Sequence, residues 1–161
     1  MLYNIAMKII VVSDSHGASE KIDFIFKNFK FDYFIHLGDG HRDLGSYVYL
    51  DNVLAVRGNC DWGVDVKDEI ITNIAGKNFF ITHGDNYGVK YTLTKIISKA
   101  KELNAEIVLF GHTHNYFYEI VDGITLINPG ALKQKIFDSS TAVIIDIDEN
   151  KLVRVVPFNV V

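Results

Sequence analysis

The chain has 161 residues, of which 48% are hydrophobic, with a net charge of −4 and a pI near 5.8. That length suits one domain, residues 1–161, with a sizeable core. The acidic balance excludes a broad electrostatic grip on nucleic acid, whose binders carry a basic face; no apolar run reaches bilayer length, and no charged, long-apolar leader opens the chain.

Residues 1–6 read as an N-terminal extension, either an extra strand turn or a loose end, with Met7 an alternative start. The first expected strand, 8–13, ends in Asp14-Ser15-His16. Residues 19–30 follow with Ile22, Ile25, Phe26 and Phe29 on one helical face and Ser19 as the expected cap. A strand at 33–37 ends in Gly38-Asp39, and 40–50 suggests a short helix weakened by Gly45. A strand at 53–57 ends in Gly58-Asn59. Ala75-Gly76 turns 69–74 into 79–82, so that the strand at 78–82 ends in His83-Gly84. Residues 87–103 repeat the amphipathic pattern, with Asp85 or Asn86 as cap. The strand at 106–110 ends in Gly111-His112-Thr113-His114. Asp122-Gly123 joins 116–121 to 124–127, and Glu149-Asn150 joins 142–148 to 151–158, both as hairpins. The expected class is α/β with mixed sheets, parallel early and antiparallel late.

Five strand endings therefore carry residues able to bind a metal. In open α/β sheets ligands bind beyond the carboxyl ends of the strands. If these strands are parallel neighbours, their endings converge on one rim. Asp14 and His16 are two apart, so in extended backbone both reach one ion. His112 and His114 repeat the spacing, or divide between two ions. Asp39 has two oxygens and could bridge two ions. Asn59 offers an amide oxygen and His83 an imidazole nitrogen. This nitrogen and oxygen set, without thiolate, favours Mn²⁺, Fe²⁺, Zn²⁺, Co²⁺ or Ni²⁺ over Cu(I) or a structural zinc. Seven ligands are too many for one such ion; two ions sharing Asp39 account for them. Two divalent cations, two aspartates and a bridging hydroxide leave one positive charge, which attracts a phosphate diester. Such a pair lowers the pKa of water, holds phosphate oxygens and stabilises in-line displacement, with the bridging hydroxide as nucleophile.

The ordered set Asp14-x-His16, Gly38-Asp39, Gly58-Asn59-Cys60-Asp61, His83-Gly84 and Gly111-His112-Thr113-His114 resembles the calcineurin-like metallophosphoesterases, most of all their small single-domain phosphodiesterase branch. The likeness spans residues 8 to about 131 and includes Asn128-Pro129-Gly130. It implies a four-layer αββα sandwich, two mixed β-sheets packed face to face and flanked by helices. It also implies one metal on Asp14, His16, Asp39 and His114, and a second on Asp39, Asn59, His83 and His112. Mn²⁺ is the expected ion, and a small phosphate diester the expected substrate. Asn59 and His83 are expected to serve catalysis as well as ligation, and Asn59 to touch substrate.

Three departures stand out. Many relatives carry His where this chain has Cys60, a thiol with a reference pKa near 8.5 and a poor proton donor. Relatives often read His-Gly-His where His83-Gly84-Asp85 stands, so Asp85 becomes a helix-cap candidate. Relatives often continue toward a Pro-Arg pair where this chain has Ala131-Leu132-Lys133-Gln134-Lys135, leaving Lys133 or Lys135 as substitutes for an arginine.

Residues beside the motifs have plainer readings. His36 reads as a satisfied core histidine and Arg57 as one half of an ion pair. Asp61 reads as a turn cap, and Tyr116, Phe117 and Tyr118 as strand packing. His41, two residues after Asp39, is a candidate substrate contact against a surface-loop reading. Cys60 is either an inert buried thiol or a pocket residue of catalytic weight, and Trp62 either a substrate rim or loop packing.

The single cysteine excludes an internal disulfide and fits a reducing cytoplasm. Two alternatives to a small-diester hydrolase remain open. One is a non-catalytic scaffold resembling the retromer subunit of this fold. The other is a nucleotide-directed enzyme, of cyclic-nucleotide or nuclease type. No membrane partner is expected, and an exposed hairpin edge from the second half could pair subunits.

Overall fold

A computed structural model describes residues 5–136 and 138–161, the Ile5 side chain excepted. Strands β1 (Ile5–Val12), β2 (Tyr33–His36) and β3 (Val53–Ala55) run parallel, in register Val12 to His36 and His36 to Ala55. The helix α1 (Ser19–Asn28) crosses over between β1 and β2. Strands β4 (Glu69–Ile74) and β5 (Lys77–Thr82) form a hairpin, and α2 (Thr94–Glu102) leads to β6 (Ile107–Leu109). A second hairpin, β7 (Tyr116–Val121) and β8 (Ile124–Pro129), precedes a third, β9 (Thr141–Asp148) and β10 (Val153–Asn159).

These strands make two five-stranded sheets, ordered β10-β9-β1-β2-β3 and β4-β5-β6-β8-β7. Both are mixed. In the first, β9 runs antiparallel to β1; in the second, β5, β6 and β8 run parallel and the edge strands β4 and β7 antiparallel. The expectation of parallel pairing early and antiparallel pairing late therefore needs correction, because β8 leaves its hairpin partner on one side and docks on β6 on the other.

Strand alternation builds the layers. Ile9, Val11, Ile35 and Leu37 of the first sheet face Phe79, Ile81, Ile107 and Leu109 of the second, all buried. The opposite faces carry Ile10, Val12 and Phe34 against Ile22 and Ile25 of α1, and Phe80, Val108 and Leu126 against Ile96 and Ala100 of α2. The result is the αββα sandwich. No described helix is long and apolar enough to cross a membrane.

The helices differ from expectation in instructive ways. The expected 87–103 helix is shortened at its start: Gly88, at φ 62°, ends a 3-10 turn at Asp85–Tyr87, further turns at Tyr91 and Thr92 bond back to its carbonyl, and α2 begins only at Thr94. Neither Asp85 nor Asn86 caps α2, and Ser19 is the first residue of α1 without a capping hydrogen bond. The 3-10 segment His41–Tyr49 exists and is kinked at Gly45. The first strand begins at Ile5, so part of the 1–6 extension is strand; residues 1–4 lie outside the described residues.

Candidate metal centre

All five parallel strands that end in candidate ligands point their carboxyl ends at one rim, three from the first sheet and two from the second. Short backbone bonds lace the endings together. Asp14 N–H donates to the Gly38 carbonyl at 3.0 Å, His16 N–H to the Asp39 carbonyl at 3.1 Å and Gly111 N–H to the His83 carbonyl at 2.9 Å. Two glycines permit this closeness: a methyl group on Gly58 would overlap the Asp39 carboxylate, and one on Gly111 would overlap the Ser13 hydroxyl.

The turns are bought with backbone strain. Asp14, His16, Asp39, His112 and His114 all adopt positive φ, between 40° and 69°. Left-handed backbone costs a residue with a Cβ roughly 1 kcal/mol or more. It swings each side chain out of the strand direction and onto the rim.

There the side chains meet. His114 Nε2 lies 3.0 Å from Asp14 Oδ1, and His16 Nε2 lies 3.7 Å from the same oxygen and 3.8 Å from Asp39 Oδ2. His83 Nε2 lies 3.3 Å from Asp39 Oδ2, 3.1 Å from Asn59 Oδ1 and 3.2 Å from His112 Nδ1. All seven expected ligands are thus brought together. Across the sheets, His83 Nδ1–H donates to the Leu37 carbonyl at 2.7 Å. That bond fixes the ring and aims Nε2 at the cluster.

Carboxylates and imidazoles in this cluster shift one another's titration. Burial would raise the pKa of Asp14, yet His114, His16 and His83 hold it well below the usual carboxylate range. Burial likewise opposes the lowering of Asp39, and His83 overcomes it. In return, Asp14 raises the pKa of His16, and Asp39 and Asp14 raise that of His83 against its burial. Asp14 Oδ1 is buried, and although three histidine nitrogens lie within 4.0 Å of it, none among the described residues is aligned to donate a hydrogen bond. A buried carboxylate oxygen without a donor is costly. The donor set, with imidazole nitrogens and carboxylate oxygens crowded on one point, fits divalent cations.

The surrounding residues sort cleanly. Asp61 accepts four backbone N–H groups, from Asp39, Gly40, His41 and Gly58, at 2.8 to 3.0 Å. It is a turn cap, as read, but one that clamps the β2 and β3 endings to each other. His36 is fully buried: Gly38 N–H donates to its Nδ1, and its Nε2–H donates to Ser15 Oγ, which donates to Asp43 Oδ2. Burial pulls its pKa down to about 4, so it is a neutral core histidine. Arg57 pairs with Asp68 at 2.8 Å. His41 is anchored by its backbone, and its Nε2 is buried without a hydrogen-bond partner among the described residues; it lines neither recess beside the cluster. Cys60 corrects one reading, because it is exposed rather than an inert buried thiol. Its N–H donates to Asp39 Oδ1 at 2.7 Å, and its sulfur shares a 4.8 Å neighbourhood with ligand atoms of His16 and Asp39.

One bracing residue had no role assigned from sequence. Asn128, fully buried, donates to the Gly111 carbonyl and to Thr113 Oγ1, both at 3.0 Å, and accepts from Gly130 N–H. It holds the loop that carries His112 and His114. Its place in Asn128-Pro129-Gly130 was the available signal.

Known proteins share this arrangement of strands. A probable metallophosphoesterase of Bacillus subtilis is 35% identical over 129 residues, covering 79% of this chain and 76% of its own. The solved structure of an archaeal phosphodiesterase superposes with a TM-score of 0.72 at 27% identity, over 94% of this chain and all of that one. Vacuolar Protein Sorting 29 from Cryptosporidium parvum shares the fold, with a TM-score of 0.75 at 14% identity over 97% of this chain and 100% of its own. The family model for the calcineurin-like phosphoesterase superfamily domain matches residues 7–150, the stretch that holds every rim residue described above, and the chain belongs to that superfamily of metal-dependent phosphoester hydrolases.

Proposed function

We propose that the protein is a dinuclear-metal phosphodiesterase acting on small phosphate diesters. Asp14, His16, Asp39 and His114 would hold one ion, and Asp39, Asn59, His83 and His112 the other. The observation that carries this reading is the position of Asp39. Its Oδ2 stands 3.8 Å from His16 Nε2 and 3.3 Å from His83 Nε2, between the two ligand groups. When bound, two divalent ions lower the pKa of water, hold phosphate oxygens and stabilise in-line displacement. The chain's own part is preorganisation. Leu37 sets the His83 ring, Asp61 and Cys60 N–H fix the Asp39 loop, and Asn128 fixes the histidine pair. With only two carboxylates among the ligands, the loaded site keeps positive charge for an anionic substrate. Mn²⁺ is the ion proposed, with Ni²⁺, Fe²⁺, Zn²⁺ or Co²⁺ as substitutes. A scaffold role is disfavoured because no ligand position has been lost.

The direct test loads the protein with Mn²⁺ or Ni²⁺ and compares bis(p-nitrophenyl) phosphate with the monoester. The diester should be cleaved faster. Two bound ions with no hydrolysis under any metal would sink the enzymatic reading.

Cys60 accounts for the preference. Partial desolvation of this exposed residue and the neighbouring Asp39 push its thiol pKa up, so it keeps its proton but surrenders it poorly to a departing alkoxide. Cys60→His should raise hydrolysis of alkyl phosphates about tenfold, a modest share of what a placed acid can supply. Unchanged alkyl phosphate turnover in that variant would remove Cys60 from the explanation.

A further inference from the structure

The cluster opens sideways into two recesses of opposite character. One, of about 310 Å³, is lined by Asn59, Arg57, Asp61, Trp62, Asp68 and Asp85. It holds one arginine against three carboxylates, and the arginine is spent on Asp68. Asp61 is spent on backbone amides. The Asp85 carboxylate makes no hydrogen bond or ion pair among the described residues, its backbone carbonyl alone accepting from Gly88 N–H, and it leaves the recess hostile to a second anion. Its wall is Trp62, the chain's one tryptophan, 79% exposed though its carbonyl is pinned by Arg42 Nη2 at 2.9 Å. A large apolar ring held open to solvent beside a ligand residue offers a flat face without a partner.

The other recess, of about 480 Å³, is lined by His16, His114, Thr113, Lys133, Lys135 and Asp138. Two lysines stand against one carboxylate. The segment that bears them is strapped to the cluster. Lys133 N–H donates to the Asp14 carbonyl at 3.1 Å, and Gln134 Nε2 donates to the His114 carbonyl at 3.0 Å. Neither lysine ammonium has an ion-pair partner among the described residues. This side favours an anion within a few ångströms of a bound phosphate.

We propose that these recesses sort the two arms of an asymmetric substrate. A planar heterocycle would stack on Trp62, the scissile phosphate would sit at the cluster, and an arm bearing a further phosphate would extend over Lys133 and Lys135. The substrate class is then a nucleotide-type diester or phosphoanhydride with one uncharged planar arm and one anionic arm. This inference rests on the phosphodiesterase reading above and deepens it.

Because Trp62 is the one tryptophan, its emission reports on the first recess directly. Adenosine monophosphate should quench it, while inorganic phosphate should not. Trp62→Ala should weaken adenosine monophosphate binding, followed by calorimetry, about tenfold, the scale of one base on one ring, and Trp62→Phe should restore most of it. Equal quenching by inorganic phosphate, or undiminished affinity in the alanine variant, would overturn the stacking arm. For the other arm, an adenylyl dinucleotide with a terminal phosphate should be cleaved with a kcat/KM about fivefold above the same dinucleotide without it, as two partly exposed charge pairs allow. The Lys133→Ala/Lys135→Ala double variant should erase that ratio. A ratio that survives in the double variant, or that is absent in the parent protein while bis(p-nitrophenyl) phosphate is still hydrolysed, would overturn the sorting alone. Failure on bis(p-nitrophenyl) phosphate as well would overturn the phosphodiesterase reading beneath it.

Discussion

Asp39→Asn should leave a folded protein that has lost diester hydrolysis by about a thousandfold or more, the scale on which removal of one well-placed electrostatic group is felt. The substitution is chosen for what it keeps. Asparagine tolerates the left-handed backbone that residue 39 requires, at φ 58°, and its amide oxygen can still accept Cys60 N–H. What goes is the negative charge between His16 and His83. Parent protein given Mn²⁺ in hundredfold excess over its Kd should gain about 3 kcal/mol for each ion bound, or roughly 5–10 °C in Tm per ion. The variant should bind fewer ions and gain distinctly less. Retained activity with two ions bound would refute the shared role of Asp39, and a fall in metal-free Tm large enough to unfold the variant would be separated by circular dichroism before any assay. Acid should act in the same direction. The lowered pKa values of Asp14 and Asp39 mean that their contribution is present above the ordinary carboxylate pKa and is lost as pH falls through the lowered folded values. The same protons compete with metal for the histidines.

Asp61→Asn should be the most damaging change outside the expected ligands, costing about 3 kcal/mol against a typical total near 10. Four N–H donors converge on this carboxylate, and an amide in its place turns two donors of its own toward them. Burial alone would raise the pKa of Asp61, but the backbone donors outweigh it and leave the pKa lowered. The stabilisation therefore exists above the unfolded carboxylate pKa and fades as pH falls through the folded value. Urea midpoints of parent and variant should differ clearly at pH 7 and draw together below about pH 4. Coincident midpoints at pH 7 would show that the clamp carries no weight. Because Asp61 fixes Asp39 N–H, metal affinity should also fall, by about 10- to 100-fold, as for groups that orient a ligand from behind.

What the chain declares about itself is local, and what it withholds is not. The strand endings are legible because each couples a short, mostly apolar run to a ligand-bearing turn, and all of them land on one rim. The 87–103 helix is read as starting too early because its apolar period is real, but a 3-10 turn ending at Gly88 and turns through Tyr91 and Thr92 delay the helix to Thr94. The insertion of β8 between β6 and β7, and the docking of β9 on β1, are settled by packing between residues far apart in sequence, which no window of neighbouring residues displays. The candidate ligands could be named because metal chemistry restricts residue type. Asn128 and the fourfold grip of Asp61 could not, since a buried asparagine or aspartate declares its partners only once the turns around it have closed.

The positive φ angles at Asp14, His16, Asp39, His112 and His114 set folding against chemistry. Glycine would relieve the torsional penalty at any of them while deleting a ligand. A lineage that kept this sandwich only for its surfaces would gain robustness each time it shed one of these side chains. Loss of catalysis in such a fold would therefore be a downhill path, and the seven candidate ligands are the side chains that the proposed turnover would need kept.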